Sequence, residues 1–191
     1  MYINILHRVG CKCAYDSDNK FLKKATVWFV DNDAGNFRDA GLHQNVRSLL
    51  IDQPLQLWKI QGMTKYFYEN VVSIDRNPAF LFVDFDETVN MMPGVHVGDS
   101  NLEPVFGDYN RQYSLAQLFN TLLNYDRVYV VTNNPAIQHV TMLLNKLIQL
   151  EIGSKNSHKF IEHVNVVYTM GNTKLNFIQQ ILASIGYIAE R

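Results

Sequence analysis

The chain has 191 residues, of which 47% are hydrophobic, and its formal net charge is −1. This length and apolar content suffice for one full core, so we expect a single domain over 1–191. The 17 basic and 18 acidic residues are spread along the chain and predict no basic surface for nucleic acid or an anionic membrane. The apolar runs are far shorter than the ~20 residues that span a bilayer. Composition therefore favours a soluble globular protein.

The N-terminal extension, 1–23, has no role that its sequence predicts. Met1 to Gly10 carries His7 and Arg8 after its apolar stretch and shows no small-residue cleavage site, so it is not typical of a secretory signal. Cys11 and Cys13 have a spacing unsuited to a mutual disulfide, and a second Cys or His pair at zinc-ligand distance is missing. We favour two reduced thiols over a zinc site, which fits a cytoplasmic protein.

Three apolar runs, each followed by a polar cluster, predict buried strands. The runs are 27–30, 80–83 and 128–131, and the clusters are Asp31-Asn32-Asp33, Asp84-Phe85-Asp86 and Thr132-Asn133-Asn134. Continuous apolar runs of this length are typical of strands that helices cover on both faces, as in a parallel sheet. Ligands of such sheets bind beyond the carboxyl ends of the strands, where all three clusters lie.

The remaining pattern predicts helices that alternate with these strands. Apolar spacing indicates helices over 114–124, 135–150 and 174–185, further strands over 46–51 and 164–168, and one or two helices within 53–77. The alternation predicts an α/β fold with right-handed crossovers in a doubly wound, Rossmann-like parallel sheet.

Asp84 and Asp86 follow the strand at 80–83 directly. Alternation along an extended backbone sends both side chains to the same side, towards one site. Two carboxylates so close repel each other unless a cation or a shared proton is present, and Mg²⁺ is commonly held by only one or two carboxylates. The alternative is a strand-end turn in which the two side chains cap the backbone.

The string FLFVDFDETV at 80–89 resembles the first motif of the haloacid dehalogenase superfamily of phosphatases. The resemblance implies that Asp84 is the nucleophile and forms an aspartyl-phosphate. It further implies that Asp86 is the general acid and base, and that Thr88 braces the loop. The superfamily fold is a doubly wound parallel sheet.

Two more strings resemble later motifs of this superfamily, VYVVTNN at 128–134 and GNTKLNFIQQIL at 171–182. The first implies that Thr132 donates to a phosphate oxygen with help from the Asn133 backbone. The second implies that Lys174 neutralises the charge of the aspartate and the phosphate. A solvated surface lysine is the alternative for Lys174.

The fourth motif of the superfamily, an acidic pair after a strand, should follow Lys174, but VWFVDND at 27–33 near the N-terminus has its form. We therefore infer a circular permutation of the motif order. In the RNA polymerase C-terminal-domain phosphatases, which this string resembles, the Asn of the motif is a metal ligand. The alternative is a turn rich in Asn and Asp.

The resemblance implies a Mg²⁺ site of three ligands: the Asn32 side chain, the Asp84 side chain and the Asp86 backbone carbonyl. Asp31 would support this metal site or Lys174. Asp33 is the substitute ligand should Asn32 not bind.

Residues 89–127 are too few for a full cap domain, so an open site with the loop 95–106 at its rim is expected. An uncapped site favours a phosphoprotein substrate, carrying phosphotyrosine or phosphoserine/threonine. The chain also resembles bacterial effector tyrosine phosphatases, which implies secretion into a host cell as the alternative location. The alternative functions are a catalytically inactive binding module and a capless phosphatase of small metabolites or nucleic-acid ends.

Overall fold

The computed structural model of the chain describes residues 23–37, 45–69, 78–94, 101–123, 128–152, 165–171 and 173–189. The strands within these ranges are β1 (Lys23–Asp31), β2 (Val46–Leu50), β3 (Ala79–Asp84), β4 (Val128–Thr132), β5 (Asn165–Tyr168) and β6 (Tyr187–Ala189). The helices are α1 (Leu57–Phe67), α2 (Leu102–Phe106), α3 (Tyr109–Leu123), α4 (Ile137–Ile152) and α5 (Lys174–Ser184). Cys11, Cys13, most of the extension 1–23 and part of the predicted rim 95–106 lie outside the described residues.

The strands form one six-stranded sheet in the order β2-β1-β3-β4-β5, and β6 pairs with the start of β1. Every pairing is parallel, which confirms the predicted α/β fold with a parallel sheet. β1 lies next to β3, with Val30 opposite Val83 in register. The strands predicted over 27–30 and 80–83 are thus adjacent and parallel in the sheet.

Helices cover both faces of the sheet, as the continuous apolar runs predict. Along β3, Leu81 and Val83 face a core that they share with α1, α3 and α4. Phe80 and Phe82 face the opposite core, which α5 completes through residues such as Ile178. All six residues of β3 are buried. Burial of one large apolar side chain contributes about 1.5–3 kcal/mol, so this strand is anchored from both sides.

Helix boundaries differ from the predicted ones where a polar side chain caps a turn. The helix predicted over 114–124 begins at Tyr109, because the Asp108 carboxylate accepts a hydrogen bond from the Arg111 backbone N–H at 2.9 Å. The helix predicted over 135–150 runs from Ile137 to Ile152. Asn134 Oδ1 accepts from the Ala136 N–H at 2.9 Å just before its start.

The last strand of the described chain meets the first. The Lys23 N–H donates to the Gly186 carbonyl at 2.9 Å, and Ala25 lies opposite Ala189 in the β1–β6 pairing. Residues that are far apart along the chain therefore lie side by side at the start of β1. No helix within the described ranges has both the length and the apolar character needed to cross a bilayer.

Candidate active site

The carboxyl ends of β1, β3 and β4 carry Asp31, Asp84 and Thr132, and these strands are neighbours in the sheet. The three side chains therefore reach one edge of the sheet, as is usual for parallel strands. All three residues are buried. The first residues of α5 and the turn after β3 complete a polar cluster at this edge.

Lys174, the first residue of α5, joins two of these strand ends. Its Nζ donates to Asp84 Oδ1 at 2.6 Å and to Asp31 Oδ2 at 3.0 Å, and Lys174 is only 5% exposed. A solvated surface lysine, the alternative considered above, is therefore excluded. Burial lowers the pKa of Lys174, but the charges of Asp84 and Asp31 outweigh this effect and leave the pKa raised. The ammonium is therefore positively charged at neutral pH.

Asp84 is almost fully buried, and both of its carboxylate oxygens have partners. Lys174 donates to Oδ1, and the Thr88 hydroxyl donates to Oδ2 at 3.2 Å. Burial raises the pKa of Asp84 to about 7, with Lys174 opposing and Asp31 adding to the shift. The effect of burial on Asp84 thus outweighs the stabilisation of its carboxylate by Lys174.

Asp86 faces the end of β4. The Thr132 hydroxyl donates to Asp86 Oδ2 at 3.0 Å, and the Asn134 side chain also hydrogen-bonds this carboxylate. Asp86 Oδ1 is buried and has no hydrogen-bond partner. Burial raises the pKa of Asp86, although the bonds from Thr132 and Asn134 hold it down. A raised pKa favours the protonated carboxyl group, which is the form that donates a proton.

The turn that carries Asp86, Phe85–Val89, has a strained backbone. Glu87 adopts φ 54°, a left-handed conformation that is unusual for a residue other than glycine. The Asn90 N–H closes the turn on the Phe85 carbonyl at 2.8 Å. Strain of this kind persists only where the surrounding structure fixes it, and it is frequent at functional sites.

The side chains of Asp31, Asn32 and Asp33, at the end of β1, have different hydrogen-bond partners. Asp31 Oδ2 accepts from Lys174 and from Asn36 Nδ2 at 3.0 Å, and Oδ1 accepts from the Asp33 N–H at 2.8 Å. Asp33 Oδ1 accepts from the Gly35 N–H at 2.7 Å and caps the short turn that follows. Asn32 Nδ2 lies 3.5 Å from Glu87 Oε2, beside the turn that carries Asp86. Asp31 therefore holds Lys174, whereas Asn32 faces the turn after β3.

Asn133 points away from this cluster and towards the end of β5. Its Oδ1 accepts from the Thr169 hydroxyl and from the Gly171 N–H, the latter at 3.2 Å. The predicted contribution of Asn133 concerns its backbone, and the side chain fixes the loop that presents it. The Thr132 hydroxyl donates to Asp86 in this structure. The contact between this hydroxyl and a phosphate oxygen stays a prediction.

Sequence reasoning missed two polar residues that organise the site. Asn134 bonds Asp86, and Asn36 bonds Asp31. Asn134 lies in the cluster singled out after the strand at 128–131, and Asn36 lies five residues after Asp31. Their position directly after motif strands is the signal that could have indicated both. The chain is rich in asparagine, so this residue type alone carries little information.

The described residues contain no cluster of three or more His, Cys, Asp or Glu side chains suited to a metal ion. The ligand set implied for Mg²⁺ is smaller, with one carboxylate, one amide and one backbone carbonyl, and Mg²⁺ usually keeps several waters. Asp86 Oδ1 is buried without a hydrogen-bond partner, and burial raises the pKa of Asp84. A bound cation would stabilise both carboxylates in their charged form. Asn32, Asp84 and the Asp86 carbonyl carry oxygen atoms of the type that Mg²⁺ binds, and the metal site implied for them stays a prediction.

Comparisons with protein-family models, curated proteins and solved structures found no match for this chain.

The pKa of Asp84 predicts how the stability of the metal-free protein depends on pH. An unfolded Asp has a pKa of about 4, so raising the folded pKa to about 7 favours folding below pH 4, and this contribution disappears as the pH rises through 7. We expect Asp84→Asn to raise the free energy of unfolding in EDTA by about 1–3 kcal/mol at pH 8 and by much less at pH 5. Denaturant titration at both pH values measures this difference. Equal effects at the two pH values, or an equal gain for the exposed control Asp52→Asn, would contradict the assignment.

Proposed function

We propose that this chain is a Mg²⁺-dependent phosphatase of the haloacid dehalogenase type, with Asp84 as the nucleophile. The observation that carries the proposal is the contact of the Lys174 ammonium with Asp84 at the carboxyl edge of a parallel sheet. Aspartate-based phosphoryl transfer requires a carboxylate nucleophile, a cation that stabilises the developing charge, and a second carboxyl group for proton transfer. Asp84, Lys174 and Asp86 are groups of these three kinds.

Transfer would proceed in two steps. In the first, an Asp84 carboxylate oxygen forms a bond to phosphorus, the bond to the leaving oxygen breaks, and Asp86 gives its proton to that oxygen. In the second, the Asp86 carboxylate takes a proton from water, whose oxygen attacks phosphorus and releases phosphate and the Asp84 carboxylate. The raised pKa of Asp86 supports the first role, and its hydrogen bonds to Thr132 and Asn134 hold it in place for both.

Charge neutralisation would be shared between the protein and the metal. Lys174 lies against Asp84 and would offset the repulsion between its carboxylate and an incoming phosphate. Bound Mg²⁺, held by Asn32, Asp84 and the Asp86 carbonyl, would supply Lewis-acid charge stabilisation. Asp31 would act through Lys174, because Asp31 Oδ2 accepts a hydrogen bond from the Lys174 ammonium at 3.0 Å.

The circular permutation is part of this proposal. β1 precedes β3 in the chain but lies beside it in the sheet, so the order of the motifs is free to change while their positions are kept. The hydrogen bond from the Lys23 N–H to the Gly186 carbonyl supports it, because Gly186, two residues after α5, thereby lies beside the start of β1.

A phosphoprotein is the substrate class we propose. The segment between the turn at Phe85–Val89 and β4 supplies α3, which packs against α1 and α4 as part of the helical layer on the sheet. Leu115, Leu118 and Phe119 of α3 are thereby buried in the core of the domain and not in a separate cap. Among the described residues of this segment no separate cap domain is formed, and an uncapped site would be open to a phosphate carried by a large partner.

Mg²⁺ dependence tests the proposal. We expect the wild-type chain to hydrolyse p-nitrophenyl phosphate with Mg²⁺, to lose this activity in EDTA, and to regain it when Mg²⁺ is added. Ca²⁺ should support less turnover, because its larger and looser coordination shell disturbs the in-line geometry. A phosphopeptide panel then compares phosphotyrosine with phosphoserine/threonine and with small metabolites. Full activity after exhaustive dialysis against EDTA would contradict the proposed chemistry.

A further inference from the structure

Arg111 is a buried cation in α3, and backbone carbonyls surround its guanidinium. The side chain donates to the carbonyls of Leu55 at 2.8 Å, Phe106 at 2.5 Å, Val89 at 3.0 Å and Thr88 at 3.3 Å. Only 7% of the residue is exposed. Burial lowers the pKa of Arg111 to about 10, so it keeps its charge at neutral pH.

Two of these four carbonyls belong to the turn that carries Asp86. The Thr88 carbonyl accepts from Arg111 Nη2 and also from the Leu55 N–H at 2.9 Å, and the Val89 carbonyl accepts from Nη2 as well. The same Thr88 donates its hydroxyl to Asp84. A shift of this turn would therefore disturb both the general acid and the contact that orients the nucleophile.

The chemistry of the guanidinium explains why this position holds an arginine. Its five N–H donors lie in a rigid planar fork, so one side chain can bind carbonyls from three separate segments at once. A lysine ammonium has three donors at a single point and a different shape. It cannot reproduce the contacts to Leu55, Phe106 and the turn together.

We propose that Arg111 is a positioning residue, which fixes the turn Phe85–Val89 and so aligns Asp86 with Asp84. This inference rests on the proposed phosphatase function for its effect on turnover. The effect on the turn itself does not depend on that function. The strained Glu87 backbone needs such external support, because its left-handed conformation is unfavourable by itself.

The test compares Arg111→Lys with two control variants of the same helix. Gln112→Leu removes a hydrogen bond to the Gly107 carbonyl at 2.6 Å, and Leu118→Ala opens a cavity in the core that Leu118 shares with Phe85 and Val89. In the described structure, neither side chain forms a hydrogen bond to the turn, so both variants leave the polar contacts of the turn in place. Amide exchange of Asn90, whose N–H closes the turn, reports on the turn directly. Steady-state kinetics with Mg²⁺, measured across pH, report on the alignment of Asp86.

We expect Arg111→Lys to accelerate exchange at Asn90 by about tenfold or more beyond any global change. We also expect kcat to fall by up to about 10²-fold with KM nearly unchanged, because a small misplacement of a catalytic group produces a loss of this kind. The dependence of kcat on pH should shift as well, because the surroundings of Asp86 change. Leu118→Ala should lower the stability of the protein without accelerating amide exchange at Asn90 more than elsewhere. At temperatures below their melting temperatures, both control variants should retain the kcat of the wild type.

The outcomes separate this inference from the proposed function. If the wild type shows no turnover, the phosphatase proposal fails, and exchange at Asn90 still decides whether Arg111 fixes the turn. Unchanged exchange at Asn90 in Arg111→Lys, or an equal loss of kcat in Leu118→Ala, would overturn the inference. If Arg111→Lys does not fold, Arg111→Ala is measured instead, with methylguanidinium added to replace the missing guanidinium group. If methylguanidinium restores neither kcat nor the protection of the Asn90 amide, the inference is overturned as well.

Discussion

Asp84→Asn is expected to abolish phosphatase turnover, with a loss on the order of 10⁴-fold or more, while the fold stays intact. The amide keeps the shape of the carboxylate, and its oxygen still accepts the Lys174 hydrogen bond while its NH2 group faces the Thr88 hydroxyl, but it is not a nucleophile. Hydrolysis of p-nitrophenyl phosphate with Mg²⁺ measures the loss, and circular dichroism verifies the fold. Asp52→Asn, which removes an exposed carboxylate, is the matched control. Wild-type turnover by Asp84→Asn would refute the assignment of the nucleophile.

Lys174→Met is expected to abolish turnover and to destabilise the metal-free protein by about 3–5 kcal/mol near pH 8. The substitution leaves the buried carboxylates of Asp31 and Asp84 without a counter-ion, and it removes the charge that faces an incoming phosphate. Because protonated carboxyl groups need no counter-ion, the loss of stability should be smaller at pH 5. Thermal and denaturant unfolding in EDTA measure it.

Two further variants separate charge from packing in the Lys174 experiment. Adding Asp31→Asn to Lys174→Met should recover part of the lost stability, because one of the two uncompensated charges is gone, but it should recover no activity. Lys65→Met is the control, since the Lys65 side chain is 77% exposed and its contact with Glu69 is long, at 3.9 Å. A double variant as unstable as Lys174→Met would contradict the electrostatic explanation.

The sheet could be predicted from the sequence because its strands have a strong signal. Runs such as 80–83 are continuously apolar, and that pattern is typical of a strand that helices cover on both faces. The motif resemblance then implied roles for Asp84, Asp86 and Lys174. In the structure, the end of β3, the turn that follows it and the start of α5 bring these three residues to one edge of the sheet. The helix starts at Tyr109 and Ile137 were harder to predict, because capping by Asp108 and Asn134 depends on local backbone geometry.

The supporting contacts of the site could not be predicted from the sequence. Arg111 lies 22 residues beyond Val89, and nothing in that spacing indicates that its guanidinium binds the turn. Asn36 and Asn134 act on Asp31 and Asp86 through side-chain hydrogen bonds that exist only once the strands have assembled. Contacts of this kind depend on the three-dimensional packing of the segments and leave no periodic pattern in the chain.

Trapping of a phosphorylated enzyme tests the aspartate nucleophile most directly. Wild-type protein turning over a phosphate ester with Mg²⁺ is quenched in acid, digested, and mapped by mass spectrometry. We predict phosphate on the peptide that contains Asp84, sensitive to hydroxylamine as an acyl-phosphate is, and absent both in EDTA and in Asp84→Asn. Rapid turnover by wild-type protein with phosphate on another residue, or with no phosphorylated enzyme at any time point, would contradict the mechanism.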